Sequence, residues 1–308
     1  MTIKKRSNPL VSVIVTTKNE AQNIDSCLRS IKLQTLSKEK IEIIVVDNNS
    51  TDQTKKIAQK YTGKIYNQGP ERSSQRNFGA KVARGNWLLF LDADMILSST
   101  TIEKGVHKAL KKKVVALYIP ELILGNSFWC RVRRLERSFY DATPIDAVRL
   151  IRADIFQKTN GFDLSLTGPE DWDLNKKIKE LGKVDITGYY NFNRINQWLY
   201  SLNYNNDFIK NLIKVTPKPI LYHNEVDFNL KNHLEKKAYY SANFDRYIKK
   251  WGQDDPDIKK QLGFKYRFCQ VFIQSGQWKK IIRYPHLMAG VFFLKILIGI
   301  NFLKRNGR

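Results

Sequence analysis

A chain of 308 residues with 42% hydrophobic residues is long enough to bury one large core, or one core with an appendage, and its composition excludes an intrinsically disordered protein. Lys and Arg outnumber Asp and Glu by 53 to 29, a formal charge of +24, which predicts attraction to polyanions: nucleic acid, anionic lipid or phosphorylated substrates. Cys27, Cys130 and Cys269 lie far apart and share no C-x-x-C or Cys/His cluster, which argues against a disulfide framework and a zinc site and fits a reducing compartment. No secretory leader is expected: the basic start Lys4-Lys5-Arg6 precedes an apolar run that turns polar at Thr16-Thr17-Lys18, without a small-residue cleavage site.

Residues 10–15 form a β-branched apolar run that ends at Thr16-Thr17-Lys18-Asn19-Glu20, a strand delivering polar groups to a loop. Ile24, Leu28 and Ile31 then recur at helical spacing. A second run, 41–46, empties into Asp47-Asn48-Asn49-Ser50-Thr51-Asp52, where Ser50 and Gln53 have the spacing of a capping box for a helix reaching Tyr61. A short strand at 64–66 and a helix over 73–84, closed by Gly85, lead to Trp87-Leu88-Leu89-Phe90-Leu91-Asp92-Ala93-Asp94-Met95. Five apolar residues there read as a strand buried on both faces, ending in two carboxylates. In open α/β sheets ligands bind beyond the carboxyl ends of the strands. Two hard oxygen donors at i and i+2 suit a divalent cation that also grips a diphosphate, although such a pair equally suits a surface turn or a helix cap.

Beyond Met95, Ile102, Val106 and Leu110 mark a helix ending in Lys111-Lys112-Lys113, and 114–119 reads as another strand. The aromatic, basic stretch 122–140, with Phe128-Trp129 before Arg131, Arg133 and Arg134, reads as a solvated helix face or as a phosphate-facing wall. The stretch 146–151 runs through Arg152-Ala153-Asp154 and Gly161-Phe162-Asp163 to Thr167-Gly168-Pro169-Glu170-Asp171-Trp172-Asp173, which opens a helix through Leu181. Acidic residues in a first helical turn ordinarily answer the helix dipole, but a carboxylate on a rigid loop-to-helix junction also suits a general base.

Val11-Ser12-Val13-Ile14-Val15-Thr16-Thr17-Lys18-Asn19-Glu20, Val45-Val46-Asp47-Asn48-Asn49-Ser50-Thr51-Asp52, Arg76-Asn77-Phe78-Gly79-Ala80 with Ala83-Arg84-Gly85, Phe90-Leu91-Asp92-Ala93-Asp94 and Gly168-Pro169-Glu170-Asp171 resemble, in order and spacing, glycosyltransferase family 2. The resemblance implies an α/β GT-A fold, a Rossmann-like doubly wound mixed sheet, with a UDP- or GDP-sugar as donor, a Mg or Mn cation, and transfer with inversion. It implies that Thr17 and Glu20 line the nucleotide pocket, Asp47 contacts the base or ribose, Arg76 lies beside the nucleotide and Asp92 touches the ribose or sugar. Asp94 would ligate the metal, and Asp171 would be the catalytic base, with Glu170 as its rival. His223, in Leu221-Tyr222-His223-Asn224-Glu225, resembles the family's additional metal or diphosphate contact; a hydrogen-bonded structural histidine is the alternative. Asn48-Asn49 stands where Asp and Gly are common, which is expected to loosen that turn, and 191–219 matches nothing.

The division expected is a catalytic domain over 1–225, with a nucleotide-sugar half to residue 95 and an acceptor half beyond it, then a basic, amphipathic helical extension over 226–308. Residues 227–308 hold 17 Lys and Arg against 6 Asp and Glu. The apolar run 288–303 has Lys295 at its middle and falls short of the roughly 20 residues a spanning helix needs. A helix lying in a membrane interface, or a re-entrant one, is favoured, anchored by Trp278, Lys279, Lys280, Arg283, Tyr284, Lys304 and Arg305; docking on the protein's own core or on a second subunit, or spanning, are the alternatives. The enzyme is therefore expected at the cytoplasmic, inner face of the cell membrane, bound peripherally to an anionic surface, with a lipid-linked or glycan acceptor and no nucleic-acid partner. A nucleotidyltransferase would need a glycine-rich phosphate loop after the first strand, which is missing, and the basic charge matches no nucleic-acid-binding module.

Overall fold

The computed structural model describes residues 9–202, 212, 218–241 and 243–306. Lys4-Lys5-Arg6, much of 191–219, and the side chains of Lys304 and Arg305 lie outside the described residues.

Strand β1 (Val11–Thr17) is buried at all seven positions and runs parallel between β2 (Ile41–Asp47) and β4 (Trp87–Asp92). With β3 (Ile65–Asn67), β6 (Ala116–Tyr118), β8 (Val148–Arg152) and β9 (Val184–Ile186) they form a seven-stranded sheet of order β3-β2-β1-β4-β8-β6-β9, with β8 antiparallel to both neighbours. Parallel strands covered on both faces need no polar alternation; the polar exceptions Ser12 and Glu42 are buried, and Ser12 donates to Glu42. Val11, Val13, Val15, Leu89 and Leu91 enter one core with α1 (Ile24–Lys32), while Ile14, Leu88 and Phe90 enter the opposite core with Phe156, Phe162, Leu174 and Ile178. Phe90 meets the Phe156 and Phe162 rings at 5.1 and 5.3 Å, and burying such a side chain contributes about 1.5–3 kcal/mol.

Helix α3 (Arg72–Val82) comes down onto this sheet because Gly79 has no Cβ: one placed there would lie 2.4 Å from Ile14 Cγ2. Ser50 does not cap a helix; its hydroxyl bonds to Asp47 while α2 (Thr54–Ala58) starts later and has no side-chain cap at Gln53. The run 87–95 is not one strand either. It breaks after Asp92, and β5 (Met95–Leu97) joins a second, three-stranded sheet with β7 (Glu121–Leu124) and β10 (Leu221–Asn224), placing His223 opposite Met95. The expected strand at 114–119 is Ala116–Tyr118, Val148–Arg152 is a further strand, and α4 (Thr101–Lys112) packs over the sheet.

The basic segment near 130 is neither a solvated face nor a phosphate wall. In α5 (Phe128–Arg137), Arg134 is fully buried, donating to the carbonyls of Ile123 and Gly125 and to Asn196 of α8 (Phe192–Ser201), and Arg133 donates to both carboxylate oxygens of Glu225. Arginine is the cation that tolerates such burial, because its planar fork satisfies several acceptors at once.

Helices α6 (Ala153–Lys158) and α7 (Glu170–Leu181) precede β9, and after β10 come α9 (Leu230–Ser241), α10 (Phe244–Trp251), α11 (Pro256–Leu262), α12 (Trp278–Arg283) and α13 (Pro285–Asn306). At 22 residues α13 exceeds the 16-residue apolar run, and it is the one helix among the described residues long and apolar enough to cross a membrane, with mean hydropathy 1.6 over Pro285–Phe302. Yet Leu287, Met288, Val291 and Leu294 are buried with Val132 and Leu135 of α5. Lys295 is buried with them, donating to Tyr140 Oη at 2.9 Å and pairing with Glu136 at 3.3 Å; burial pushes its ammonium down to about 8 against the pull of Glu136. Phe293 and Ile296 on the same helix are about half exposed, at 53% and 51%.

Removing one partner of a buried ion pair strands the other. Lys295→Met is expected to lower unfolding free energy by about 3 kcal/mol, whereas Ile296→Ser on the exposed face should change it by less than about 0.5 kcal/mol, as read by urea denaturation.

Candidate functional site

Four polar segments meet at the carboxyl edge of the main sheet. Strand β1 brings Thr16 and Thr17, β4 brings Asp92, α3 brings Arg72 and Arg76 one turn apart, and the start of α7 brings Glu170 and Asp171. Arg76 joins them. Its side chain is only 1% exposed, and it donates from Nη2 to Asp92 Oδ1 at 2.9 Å and from Nη1 to Asp171 Oδ1 at 3.1 Å, with the Phe162 ring 5.2 Å away. Thr16 Oγ1 donates to the same Asp92 oxygen at 2.9 Å. Burial opposes the Asp92 charge, but Arg76, Arg72 and Arg149 hold its carboxyl well below the usual range.

Helix α3 is fixed at three points. Gln75 donates to the carbonyls of Thr17 and Val46, and Asn77 exchanges two hydrogen bonds with the Phe162 backbone, at 2.8 and 2.9 Å. The guanidinium of Arg76 is thereby set between strand end and helix start.

The three acids of the first turn of α7 have different surroundings. Glu170 is 2% exposed; Oε1 accepts from Arg72 at 2.9 Å and Oε2 accepts from the Gly168 amide. Burial raises its carboxyl, the Asp171 charge adds to the rise, and Arg72 and Arg76 oppose it. Asp173 is enclosed by Trp251, Lys250 and Lys177. Asp171 alone is open to solvent, 23% exposed, and among the described residues nothing donates to its Oδ2. Gly168 has φ +108°, and an added Cβ would lie 2.4 Å from the Tyr240 carbonyl, so the turn before α7 packs directly under α9. Tyr240 also lies under Arg72, 5.0 Å from its ring, and Tyr239 donates to Glu71 at 2.6 Å.

Asp94 sits in the turn between β4 and β5. Its Oδ2 is 2.9 Å from His223 Nε2, and its Oδ1 is buried without a hydrogen-bond partner. His223 Nδ1 is 3.2 Å from Glu121 Oε1; burial would lower the imidazole pKa, but Asp94 and Glu121 raise it well above the usual value. Glu20 accepts from Asn23 Nδ2 at 2.7 Å, and Asn23 accepts from Asn224, the residue after His223. Burial raises the Glu20 carboxyl, with the charges of Asp94 and Asp92 adding to the rise and the Asn23 hydrogen bond and Lys236 opposing it. Among the described residues no three His, Cys, Asp or Glu side chains could hold a metal by themselves. An orphaned carboxylate oxygen beside an imidazole does fit a divalent cation that completes its shell with diphosphate oxygens and water.

Thr17 Oγ1 is likewise buried without a partner. Asp47 is fully buried, and its two oxygens accept from the Ser50 amide and hydroxyl, so the residue braces the turn that follows β2. That turn is not loosened by Asn48-Asn49: Asn49 adopts φ 53°, as asparagine tolerates, and Asn19 Oδ1 accepts from the Thr51 amide at 2.9 Å. Sequence reasoning missed Arg72 and Glu121. Arg72 could have been found as the i−4 neighbour of Arg76 on one helix face, whereas Glu121 leaves only the trace of a lone acid opening an apolar strand.

A parallel-dominated sheet with acids at its carboxyl edge and helices following it defines a GT-A fold. Residues 12–163 match the family described as Glycosyl transferase family 2. Glycosyltransferase AglE of Haloferax volcanii is 39% identical over 105 residues, 32% of this chain and 34% of that protein. The poly(ribitol-phosphate) beta-N-acetylglucosaminyltransferase TarS of Staphylococcus aureus is 36% identical over 101 residues, 30% of this chain and 17% of that protein. The chain thus spans about a third or less of the length of these two relatives. Among solved structures, the mannosyltransferase PcManGT from Pyrobaculum calidifontis, in complex with GDP-Man and Mn2+, superposes with a TM-score of 0.61 at 17% identity, covering 96% of this chain and 88% of that one.

Arg76→Met would leave Asp92 and Asp171 without their shared cation, and a loss of about 3 kcal/mol in unfolding free energy is expected. Arg76→Lys should recover less than half of it, because one ammonium cannot reproduce the fork that reaches two carboxylates. Chemical denaturation of the three proteins measures both effects.

Proposed function

We propose that this chain is an inverting glycosyltransferase that moves a sugar from a UDP- or GDP-linked donor to a hydroxyl of a lipid-linked or envelope-polysaccharide acceptor. The observation that carries the reading is the Arg76 bridge, which holds the donor-side Asp92 and the base candidate Asp171 on one guanidinium. The donor named for PcManGT and the polymer acceptor named for TarS support the two ends of the reaction.

In this reading Thr17 and Glu20 line the nucleotide pocket, Asp47 holds the turn beside the base and ribose, and Asp92 orients the ribose or sugar. Asp94 and His223 would hold Mg2+ or Mn2+, which when bound neutralises charge on the departing diphosphate. Asp171 Oδ2 takes the proton of the acceptor hydroxyl as its oxygen attacks the anomeric carbon, and the electron pair of the breaking glycosidic bond leaves with the diphosphate on the opposite face. Arg76 holds Asp171 through Oδ1 and so aims the carboxylate while leaving Oδ2 free. Glu170, with both oxygens committed to Arg72 and Gly168, is better suited to holding the junction than to accepting a proton. In the division of the chain into a catalytic domain over 1–225 and an extension over 226–308, α9 of the extension roofs the site through Tyr239 and Tyr240.

The extension would lie on the anionic inner face of the cell membrane, with the protein cytoplasmic. Its support is the two-sided character of α13: Lys295 is pinned to Glu136 and Tyr140, while Phe293, Ile296 and Ile300 face outward, near half exposure, as does Trp278 of α12. A helix held by a buried ion pair at its middle is placed to lie along a surface rather than to cross one.

Asp171→Asn is expected to lower kcat by at least about 100-fold while leaving binding of UDP or GDP with Mn2+ unchanged. Asp94→Asn should weaken that metal-dependent binding, and Glu170→Gln should lose stability more than turnover. Titration calorimetry with each nucleotide beside sugar-transfer assays separates the three; full transfer by Asp171→Asn would remove the base assignment. For the surface, Ile296→Ser/Ile300→Ser should lose about half or more of its recovery with anionic liposomes in flotation while unfolding as the parent does. Equal flotation of the two proteins would refute the membrane role of α13.

A further inference from the structure

Glu121 is a buried acid that the reaction outlined above does not use. It opens β7, one strand away from His223 on β10, with Leu221 as its register partner. Its Oε1 is 3.2 Å from His223 Nδ1, and its Oε2 accepts from Arg137 at 3.3 Å and from Arg149 at 3.5 Å. Arg137 is in turn tied to Asp146 at 2.5 Å. The carboxylate is therefore anchored from behind by two guanidiniums on separate elements, α5 and β8, and presents its remaining oxygen to the imidazole.

We propose that Glu121 is a positioning residue for the cation site: by accepting from His223 Nδ1 it fixes the ring so that Nε2 faces Asp94, where the two residues would hold the cation. The inference rests on the reading of Asp94 and His223 as metal ligands. An imidazole has two nitrogens, and the one that binds a metal is decided by the hydrogen bond the other one makes. A carboxylate in that place also raises the basicity of the ligating nitrogen, and losing such a partner typically weakens metal binding about 10- to 100-fold. Glu121 acts on the ion only through His223, so its effect must vanish when His223 is absent.

That dependence supplies the test. Mn2+ affinity is measured by electron paramagnetic resonance on the full chain in the presence of UDP or GDP, for the parent, Glu121→Gln, His223→Ala, the double variant and Asp94→Asn, with folding checked by thermal unfolding in EDTA. The expected result is a loss of about 10- to 100-fold for Glu121→Gln, and an affinity for the double variant equal to that of His223→Ala. Glu121→Asp, which keeps the charge, is expected to recover part of the loss. Parent-like Mn2+ affinity in Glu121→Gln, with His223→Ala and Asp94→Asn impaired, overturns the positioning role alone. Additive losses in the double variant overturn it as well, since Glu121 would then act independently of the histidine. Parent-like affinity in all variants overturns both this role and the cation site it serves.

Discussion

A single buried cation organises this protein's candidate site. Arg76 reaches two carboxylates that lie 79 positions apart in sequence, Asp92 and Asp171, and it does so from a helix rather than from the sheet. Burying a guanidinium is costly unless its donors are matched, and two carboxylates with a flanking aromatic ring match them. The geometry of α3 follows from this requirement: Gly79 lets the helix approach Ile14, Gln75 ties it to the ends of β1 and β2, and Asn77 ties it to Phe162. Had α3 stood farther off the sheet, Arg76 could not reach Asp92 and Asp171 together.

The parts of the fold legible in the sequence are those in which a local pattern and a buried environment coincide. Residues 11–15, 41–46 and 87–91 are apolar but for Ser12 and Glu42 because both faces are covered, and each ends in the polar cluster that a ligand edge requires. The second sheet was not legible. Strands β5, β7 and β10 are three or four residues long and pair across 100 positions or more, so no local periodicity announces them. The break after Asp92 was hidden for the same reason, since Met95-Ile96-Leu97 continues the apolar composition of β4 while joining a different sheet.

Within the site, the residues read from motifs were Asp92, Asp94, Arg76, Glu170, Asp171 and His223, and the structure gathers them into two ionic groups, one around Arg76 and one around His223. What the motifs could not convey was rank. Glu170 and Asp171 are adjacent in sequence and equal in charge, yet one is enclosed by Arg72 and the Gly168 amide while the other keeps an oxygen in solvent. Neighbouring positions at the start of a helix point about 100° apart, so adjacency in sequence is separation in environment. The same lesson applies to Arg133 and Arg134, where a basic, aromatic stretch suggests a surface and the side chains turn out to bind the protein's own carbonyls and Glu225.

The charge of the carboxyl-terminal region is divided in a comparable way. Its 17 cationic residues against 6 acidic ones describe an attraction to polyanions only to the extent that they face solvent. Lys295 does not: it is committed to Glu136 and Tyr140, and Glu136 draws Arg133 into the same buried group. That commitment couples the two faces of α13. The ion pair and the Leu287, Met288, Val291 and Leu294 contacts hold one face against α5, leaving Phe293, Ile296 and Ile300 as the face free to meet something else. Because Asn301 of α13 also donates to the Leu234 carbonyl of α9, and α9 carries Tyr239 and Tyr240 onto Glu71 and Arg72, whatever α13 rests on is connected by packed helices to the roof of the site.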